Sequence, residues 1–290
     1  MGANRLNPSR PVWITGAGGL IGNYLVQTAT AHAPGWRVIG LQRSDLDLAD
    51  FDAVRARFQQ DQPHLVIHCA ALSKTTVCET DAVLARKLNV DVTALLCELA
   101  ADVQLVFFSS DLVFDGRRGN YVEADEVNPL SVYGETKVAA ERIVLANPLH
   151  TIIRTSLNGG VSPTGDRGFN EEMRRAWQAG RTLRLFTDEF RSPTPAVVTA
   201  HAVWGLALQN KPGLYHVAGS ERLSRWQIGQ LLAARWPQLN PRIEPTSFKE
   251  YRGAPRAPDT SLNCGKAQKL LSFPLPGLSD WLAGHPDEVF

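Results

Sequence analysis

The chain has 290 residues, 44% of them hydrophobic and 20% charged, enough for a large core in one domain or in two unequal ones. Its 30 basic and 29 acidic residues leave a formal net charge of +1, so no global field draws it to nucleic acid or to an anionic membrane. Cys69, Cys78, Cys97 and Cys264 show neither CxxC spacing nor a histidine pairing of metal-ligand type, which argues against a metal site and a disulfide framework and fits reduced thiols in cytoplasm.

The opening MGANRLNPSR is polar, and no later stretch approaches the roughly 18 consecutive apolar residues of a membrane span, so a soluble, unprocessed cytoplasmic protein is expected. From residue 12 to residue 154, short β-branched apolar runs alternate with longer amphipathic segments, the pattern of βαβ units. PVWIT (11–15), WRVIGL (36–41), HLVIHCA (64–70), VQLVFFSS (103–110) and HTIIRTS (150–156) are near-continuous apolar runs, which predict strands covered on both faces. Helical spacing covers 21–31, 51–60, 81–101 and 132–145, with AHAPGW and DQPH as helix exits. The fold class that follows is α/β, a Rossmann-type doubly wound parallel sheet, with a dinucleotide-binding domain over 10–157.

After Ser156 the alternation ends in the loop NGGVSPTGDRG. A helix over 169–179, the segment LRLFTDEFRSPTPA, a helix over 198–208, a strand GLYHVAG (213–219) and a helix over 224–235 capped by Ser224 follow. They predict a smaller C-terminal α/β lobe of residues 158–183 and 209–290 that carries substrate specificity, with 184–208 returning to the first domain.

TGAGGLIG places Gly16, Gly19 and Gly22 directly after the first strand and at the mouth of the first helix. A dinucleotide site needs glycine there for a tight turn, for close approach of the pyrophosphate and for helix packing, and the helix N-terminus offers unpaired amides to the phosphates. Ordinary turn glycines are the alternative; the order strand, glycines, helix favours the cofactor. About 20 residues on, where an acid would bind the ribose of NAD, stand Gln42, Arg43 and Ser44. A guanidinium in place of a carboxylate favours the 2′-phosphate of NADP(H), with NAD(H) as the second choice, against a solvated loop arginine.

In YGETK, Tyr133 and Lys137 share one helix face. A tyrosine titrates near about 10, so proton transfer near neutrality needs a neighbouring cation, which Lys137 would supply. Alone the pair is an ordinary surface pair. It is joined by FFSSDLVFDG, which ends a strand with Ser109, Ser110 and Asp111 at the edge where ligands bind in this architecture.

TGAGGLIG, HCAALSKTTVCE, KLNVDV, FSSDLVFDG, VNPLSVYGETKVAAE, IIRTS, DEFRSPTPA, GLYHVAG and RAPDTSLN, in this order, resemble the extended short-chain dehydrogenase/reductases, and within them the dTDP-4-dehydrorhamnose reductases. The resemblance implies Tyr133, Lys137 and Ser110 as catalytic residues. It implies Gly19, Leu20, Ile21, Asp47, Leu48, Ala71, Leu72, Ser73 and Phe108 as cofactor contacts, although Asp47 also reads as a capping or surface acid. On the substrate side it implies Asp111, with Leu112, Leu157 and Arg191 lining the same pocket. Leu112 and Leu157 stand where the family has Tyr and Trp, which removes two aromatics from the sugar site. The implied activity is NADPH-dependent reduction of a keto group on a nucleotide-activated deoxysugar. An epimerase or another keto-sugar reductase is a rival on the same fold, and the leucine at position 112, where dehydratases have Glu, argues against a dehydratase. The regulatory subunit of methionine adenosyltransferase, which resembles the same reductases, supplies a rival of another class, a dinucleotide-binding partner without chemistry. The partner expected is a small molecule rather than nucleic acid or membrane; a homo-oligomer is compatible.

Overall fold

Strands and helices alternate through the first half of the computed structural model, which describes residues 10–252, 256–288 and 290. β1 (Arg10–Thr15), α1 (Leu20–His32), β2 (Trp36–Leu41), α2 (Phe51–Asp61) and β3 (Leu65–His68) come first. α3 (Thr75–Thr80) and α4 (Ala82–Arg86) lead through a π-helical turn (Lys87–Asp91) into α5 (Val92–Leu99), then β4 (Gln104–Ser110), a 3-10 turn (Asp111–Val113), α6 (Val132–Leu145) and β5 (Thr151–Thr155). The second half holds β6 (Asn158–Gly159), α7 (Phe169–Gln178), β7 (Leu183–Phe186), β8 (Phe190–Arg191), β9 (Thr194–Pro195) and α8 (Ala196–Leu208). It closes with β10 (Gly213–His216), β11 (Leu223–Ser224), α9 (Arg225–Arg235), β12 (Ile243–Thr246), α10 (Gly265–Gln268) and α11 (Leu278–Gly284).

Six strands form one sheet in the order β10-β5-β4-β3-β1-β2, and every pairing is parallel. The chain steps outward from β1 to β2 and then returns past β1 to β3, so the winding reverses between them. In open α/β sheets that reversal leaves a crevice at the carboxyl ends of the two strands, the usual place for a ligand.

Alternation along the strands builds two cores, one per face. Val12 and Ile14 of β1 join Phe108 of β4, Leu25 of α1 and Val203 and Trp204 of α8 on one side. Trp13, Phe107 and Ile152 face Val54 of α2, Leu96 of α5 and Ala140 and Val144 of α6 on the other. Each fully buried large side chain contributes about 1.5–3 kcal/mol relative to exposure.

Three features depart from the sequence pattern. Gly213–His216, expected in the C-terminal lobe, is the edge strand of the main sheet beside β5. β7, at the start of the expected return segment, pairs instead with β12; α8 does return, packing against α1. The single helix expected over 81–101 is divided by the π-helical turn. Strand partners are set by tertiary packing, which local pattern does not encode.

Helix α6 is fastened to the sheet by a buried ion pair. Arg154 of β5 donates from Nε and Nη2 to the two carboxylate oxygens of Glu141, at 2.9 and 2.7 Å, with both residues under 5% exposed. His216 Nδ1 lies 3.0 Å from the Tyr121 carbonyl and so carries the proton, leaving Nε2 to accept from Arg154 Nη1 at 3.5 Å. Burial, then the Arg154 charge, lowers the His216 pKa to about 3, so the ring is neutral. Removing one partner of such a pair leaves an uncompensated charge in the core. Glu141→Ala is therefore expected to lower unfolding stability by about 3–5 kcal/mol in urea titration, and a loss under about 1 kcal/mol would show that the pair does not hold α6.

Candidate functional site

The glycine turn fills the gap between β1 and β3. Gly16 has φ of +70°, and a Cβ there would lie 2.7 Å from the Ala70 nitrogen just beyond β3. A Cβ on Gly22 would lie 2.3 Å from the Gly16 carbonyl oxygen, so the first turn of α1 is pressed against the loop. Gly19 is the N-cap of α1 and has no side chain to cap it, so no side-chain cap takes up the first-turn amides around Leu20 and Ile21. Such a turn suits a dinucleotide's phosphates, and it is chemistry of this chain's own backbone.

Around that turn stand the other residues expected to contact a cofactor. The Gln42 side chain reaches back to Gly18, where a Cβ would meet its Oε1 at 3.2 Å. Arg43 is open to solvent, its side chain 83% exposed, with one long contact of 3.5 Å to Asp47. Ser44 is exposed, Asp47 accepts the Ala49 amide, and Leu48 packs into the α2-side core. Ala71, Leu72 and Ser73 follow β3 on the far wall. Phe108 is 6% exposed inside the α1-side core, so its side chain faces protein.

At the carboxyl end of β4 the reactive groups come together. Tyr133, half-buried on the first turn of α6, is pushed above the ordinary tyrosine range, first by burial and then by the charge of Asp111, with the Ser110 hydroxyl opposing. Ser110 Oγ lies 3.1 Å from Asp111 Oδ1, to which it donates, and accepts the Leu112 amide at 3.1 Å. Gly134 lets α6 in this far: a Cβ would lie 2.4 Å from the Leu112 carbonyl oxygen. Lys137 is 2% exposed, with its ammonium 4.0 Å from the centroid of the Phe107 ring. Burial lowers its pKa to about 7, although Glu141 pulls the other way.

The charge of Lys137 is felt at His68 and Cys69, and its ammonium rests over the Phe107 ring.

The sequence reading assigned no role to Asn89 or His68. Asn89, in the π-helical turn, accepts the Leu72 amide and donates to the Leu72 carbonyl and to Thr136 Oγ1, at 2.8, 3.1 and 3.0 Å. Thr136 in turn donates to the Tyr133 carbonyl at 2.7 Å. Thr93 donates to the Asn89 carbonyl, so His68 Nε2 must donate to Thr93, and Nδ1 accepts from Thr15. With its pKa lowered to about 3 by burial and by Lys137, His68 is a neutral ring of one fixed tautomer. The one sequence signal was KLNVDV, whose asparagine sits mid-helix, where this residue is unfavourable without a partner.

On the substrate side, Asp111 accepts from Ser156 and Thr260 at 2.7 and 2.8 Å and lies 3.8 Å from Arg191. Arg191 is 5% exposed; it donates to the Phe190 and Ala257 carbonyls and pairs with Glu189 at 3.0 Å. Its expected place as a substrate contact thus gives way to that of a strut, because its donors already have protein partners. Glu189 also accepts two bonds from Arg256; burial raises its pKa, but the arginines outweigh it and hold it below the carboxylate range. Leu112 is half-buried beside Asp111, and Leu157 packs partly into the α1-side core. Among the described residues no group of three or more His, Cys, Asp or Glu is placed to hold a metal, and no helix is long and apolar enough to cross a membrane.

A family model described as the RmlD substrate binding domain matches residues 10–285. The chain belongs to this family. Its fold is the Rossmann-type arrangement of the family's reductases. A solved structure of a hypothetical dTDP-4-dehydrorhamnose reductase from Sulfolobus tokodaii superposes with a TM-score of 0.82 at 30% identity, covering 93% of this chain and 97% of that one. Methionine adenosyltransferase 2 subunit beta of Xenopus laevis is 30% identical over 91% of this chain and 83% of its own. The spore coat polysaccharide biosynthesis protein SpsK of Bacillus subtilis is 34% identical over 72% of this chain and 73% of its own. The family thus brings together proteins named for chemistry on sugars and proteins named as subunits of another enzyme.

The buried lysine gives a test independent of any substrate. The lysine at position 137 has a folded pKa near 7 against about 10.4 unfolded, so above neutrality the unfolded chain binds the extra proton and stability rises with pH. Between about pH 7 and pH 8.5 wild-type stability should rise relative to Lys137→Met, as read by paired urea titrations in which the four cysteines are common to both proteins. Parallel curves for the two proteins would show the lysine to be charged in the fold.

Proposed function

We propose that this chain is an NADPH-dependent reductase of a keto group on a nucleotide-activated deoxysugar. The observation that carries this reading is the convergence of Tyr133, Ser110 and Asp111 at the carboxyl end of β4, beside the glycine turn at the winding reversal. A bound nicotinamide would supply the hydride. Tyr133, with its pKa raised, carries its proton at neutral pH and is the acid for the carbonyl oxygen. Ser110 has one hydroxyl proton, given at rest to Asp111; rotation about Cβ–Oγ turns it to the same oxygen and then to the phenolate. Lys137, half-charged at neutrality, supplies a donor for the cofactor's ribose and part of a positive charge to the pocket floor. The glycine turn fits the cofactor's phosphates, and Arg43, free but for one long exposed contact, fits a 2′-phosphate.

The resemblance to methionine adenosyltransferase 2 subunit beta favours a second reading, a dinucleotide-binding subunit that regulates a partner enzyme. The two readings share the cofactor and differ in the use of Tyr133.

Tyr133→Phe removes one hydroxyl and leaves the ring. Turnover of the accepted keto-sugar should fall about 10²–10⁴-fold while NADPH still binds in a fluorescence titration. Near-wild-type turnover would overturn the reductase reading and leave the second.

Arg43→Ala should raise KM for NADPH by about tenfold or more and leave KM for NADH nearly unchanged, since an exposed bidentate contact to phosphate is what it removes. Equal changes for both cofactors, or a wild-type preference for NADH, would refute the role given to Arg43.

A further inference from the structure

The loop between β6 and α7 is unusually well fastened for a surface segment rich in glycine and proline. Glu171, 7% exposed on the first turn of α7, accepts four hydrogen bonds. Its Oε1 takes the Ser162 amide at 2.7 Å; its Oε2 takes the Ser162 hydroxyl and the Arg167 and Gly168 amides, each at 2.8 Å. One buried carboxylate therefore closes both ends of the loop onto itself. Charge-assisted bonds of this kind are the stronger class.

The closed loop is also pinned to both neighbours. Asn170 accepts the Gly160 amide and donates to the Gly160 carbonyl, at 3.0 and 2.9 Å. The Tyr24 hydroxyl of α1 accepts the Val161 amide at 3.1 Å, and the Tyr24 ring fills the space a Cβ on Gly160 would need. Gly168 faces Leu20, the first residue of α1, at 3.4 Å from a built Cβ. Asp166, paired with Arg167 and Arg175, is near enough to Lys74 to feel its charge. Lys74 directly follows Ser73. The loop thus packs on the α1 wall at Tyr24 and Leu20, directly after the glycine turn, with Asp166 on the side that feels Lys74.

We infer that residues 160–168 are a preformed strap over the diphosphate of the bound dinucleotide, and that Glu171 is the positioning residue that holds it shut. The inference rests on the cofactor reading given under Proposed function. It moves this segment from the substrate lobe, where the sequence pattern put it, to the cofactor's side of the site. No residue of the strap touches the reacting carbonyl, so its effect falls on cofactor residence and not on proton transfer.

Glu171→Gln keeps the shape of the side chain but turns an NH₂ toward amide donors and removes the charge. NADPH dissociation, followed by stopped-flow fluorescence with the full chain, should speed up by about tenfold or more, the loss of one charge-assisted bond. KM for NADPH should rise in proportion and by more than kcat changes, and trypsin should cut after Arg167 faster than in wild type. Tyr24→Phe, which removes the outer fastening without touching the buried carboxylate, should give the same signature more weakly, and serves should Glu171→Gln fail to fold. Faster cleavage at Arg167 with unchanged NADPH dissociation would overturn the strap alone. A wild-type protein that binds no NADPH would overturn the cofactor reading and the strap with it.

Discussion

Helix α6 has to lie within hydrogen-bond reach of the carboxyl end of β4, and three contacts along its length set that distance. Gly134 permits the approach to the Leu112 carbonyl, Thr136 takes the bond from Asn89, and Glu141 closes on Arg154 of β5. Lys137 lies between the last two and is carried under the sheet edge with them. A helix placed this way cannot shift by a turn without breaking a buried ion pair and a buried amide network together, and such coupled losses are what make a site rigid. The tyrosine is then positioned by the helix that carries it.

The electrostatic cost of that placement is concentrated in one side chain. Lys137 is buried against Phe107 with a neutral His68 and a protonated Cys69 as neighbours, and burial, which Glu141 only partly offsets, brings its pKa down to about 7. A group poised at neutrality answers to small changes in its surroundings, and a ribose hydroxyl brought alongside would be such a change. The substrate side follows the opposite rule. Asp111, Arg191, Glu189 and Arg256 are bonded to one another and to backbone carbonyls, a satisfied network that fixes shape and leaves few free donors.

The sheet was legible because its strands are buried on both faces: unbroken runs such as LVIH and QLVFFSS have no other reading between amphipathic segments. The glycine turn was legible because the approaches at Gly16 and Gly22 tolerate no side chain. What escaped the sequence depends on distance in space. The edge strand Gly213–His216 looks like any short apolar run until β5 is seen beside it. The π-helical turn at Lys87–Asp91 has no composition of its own and is marked only by where Asn89 points. Arg191 was read as a substrate contact while its bonds to Glu189 and to the Phe190 and Ala257 carbonyls stayed hidden, since residue type tells what a side chain can bond and not which partner reaches it first.

The central claim is that the chain moves hydride onto a sugar carbonyl, and an isotope experiment addresses it directly. Purified protein is incubated with deuteride-labelled NADPH and nucleotide-linked 4-keto-6-deoxyhexoses, including dTDP-4-dehydrorhamnose, and the sugar nucleotides are examined by mass spectrometry. The account predicts a product carrying one deuterium for each NADPH oxidised, formed by the wild type and nearly absent with Tyr133→Phe. Tight binding of NADPH with no deuterium transferred to any of these sugars would contradict it.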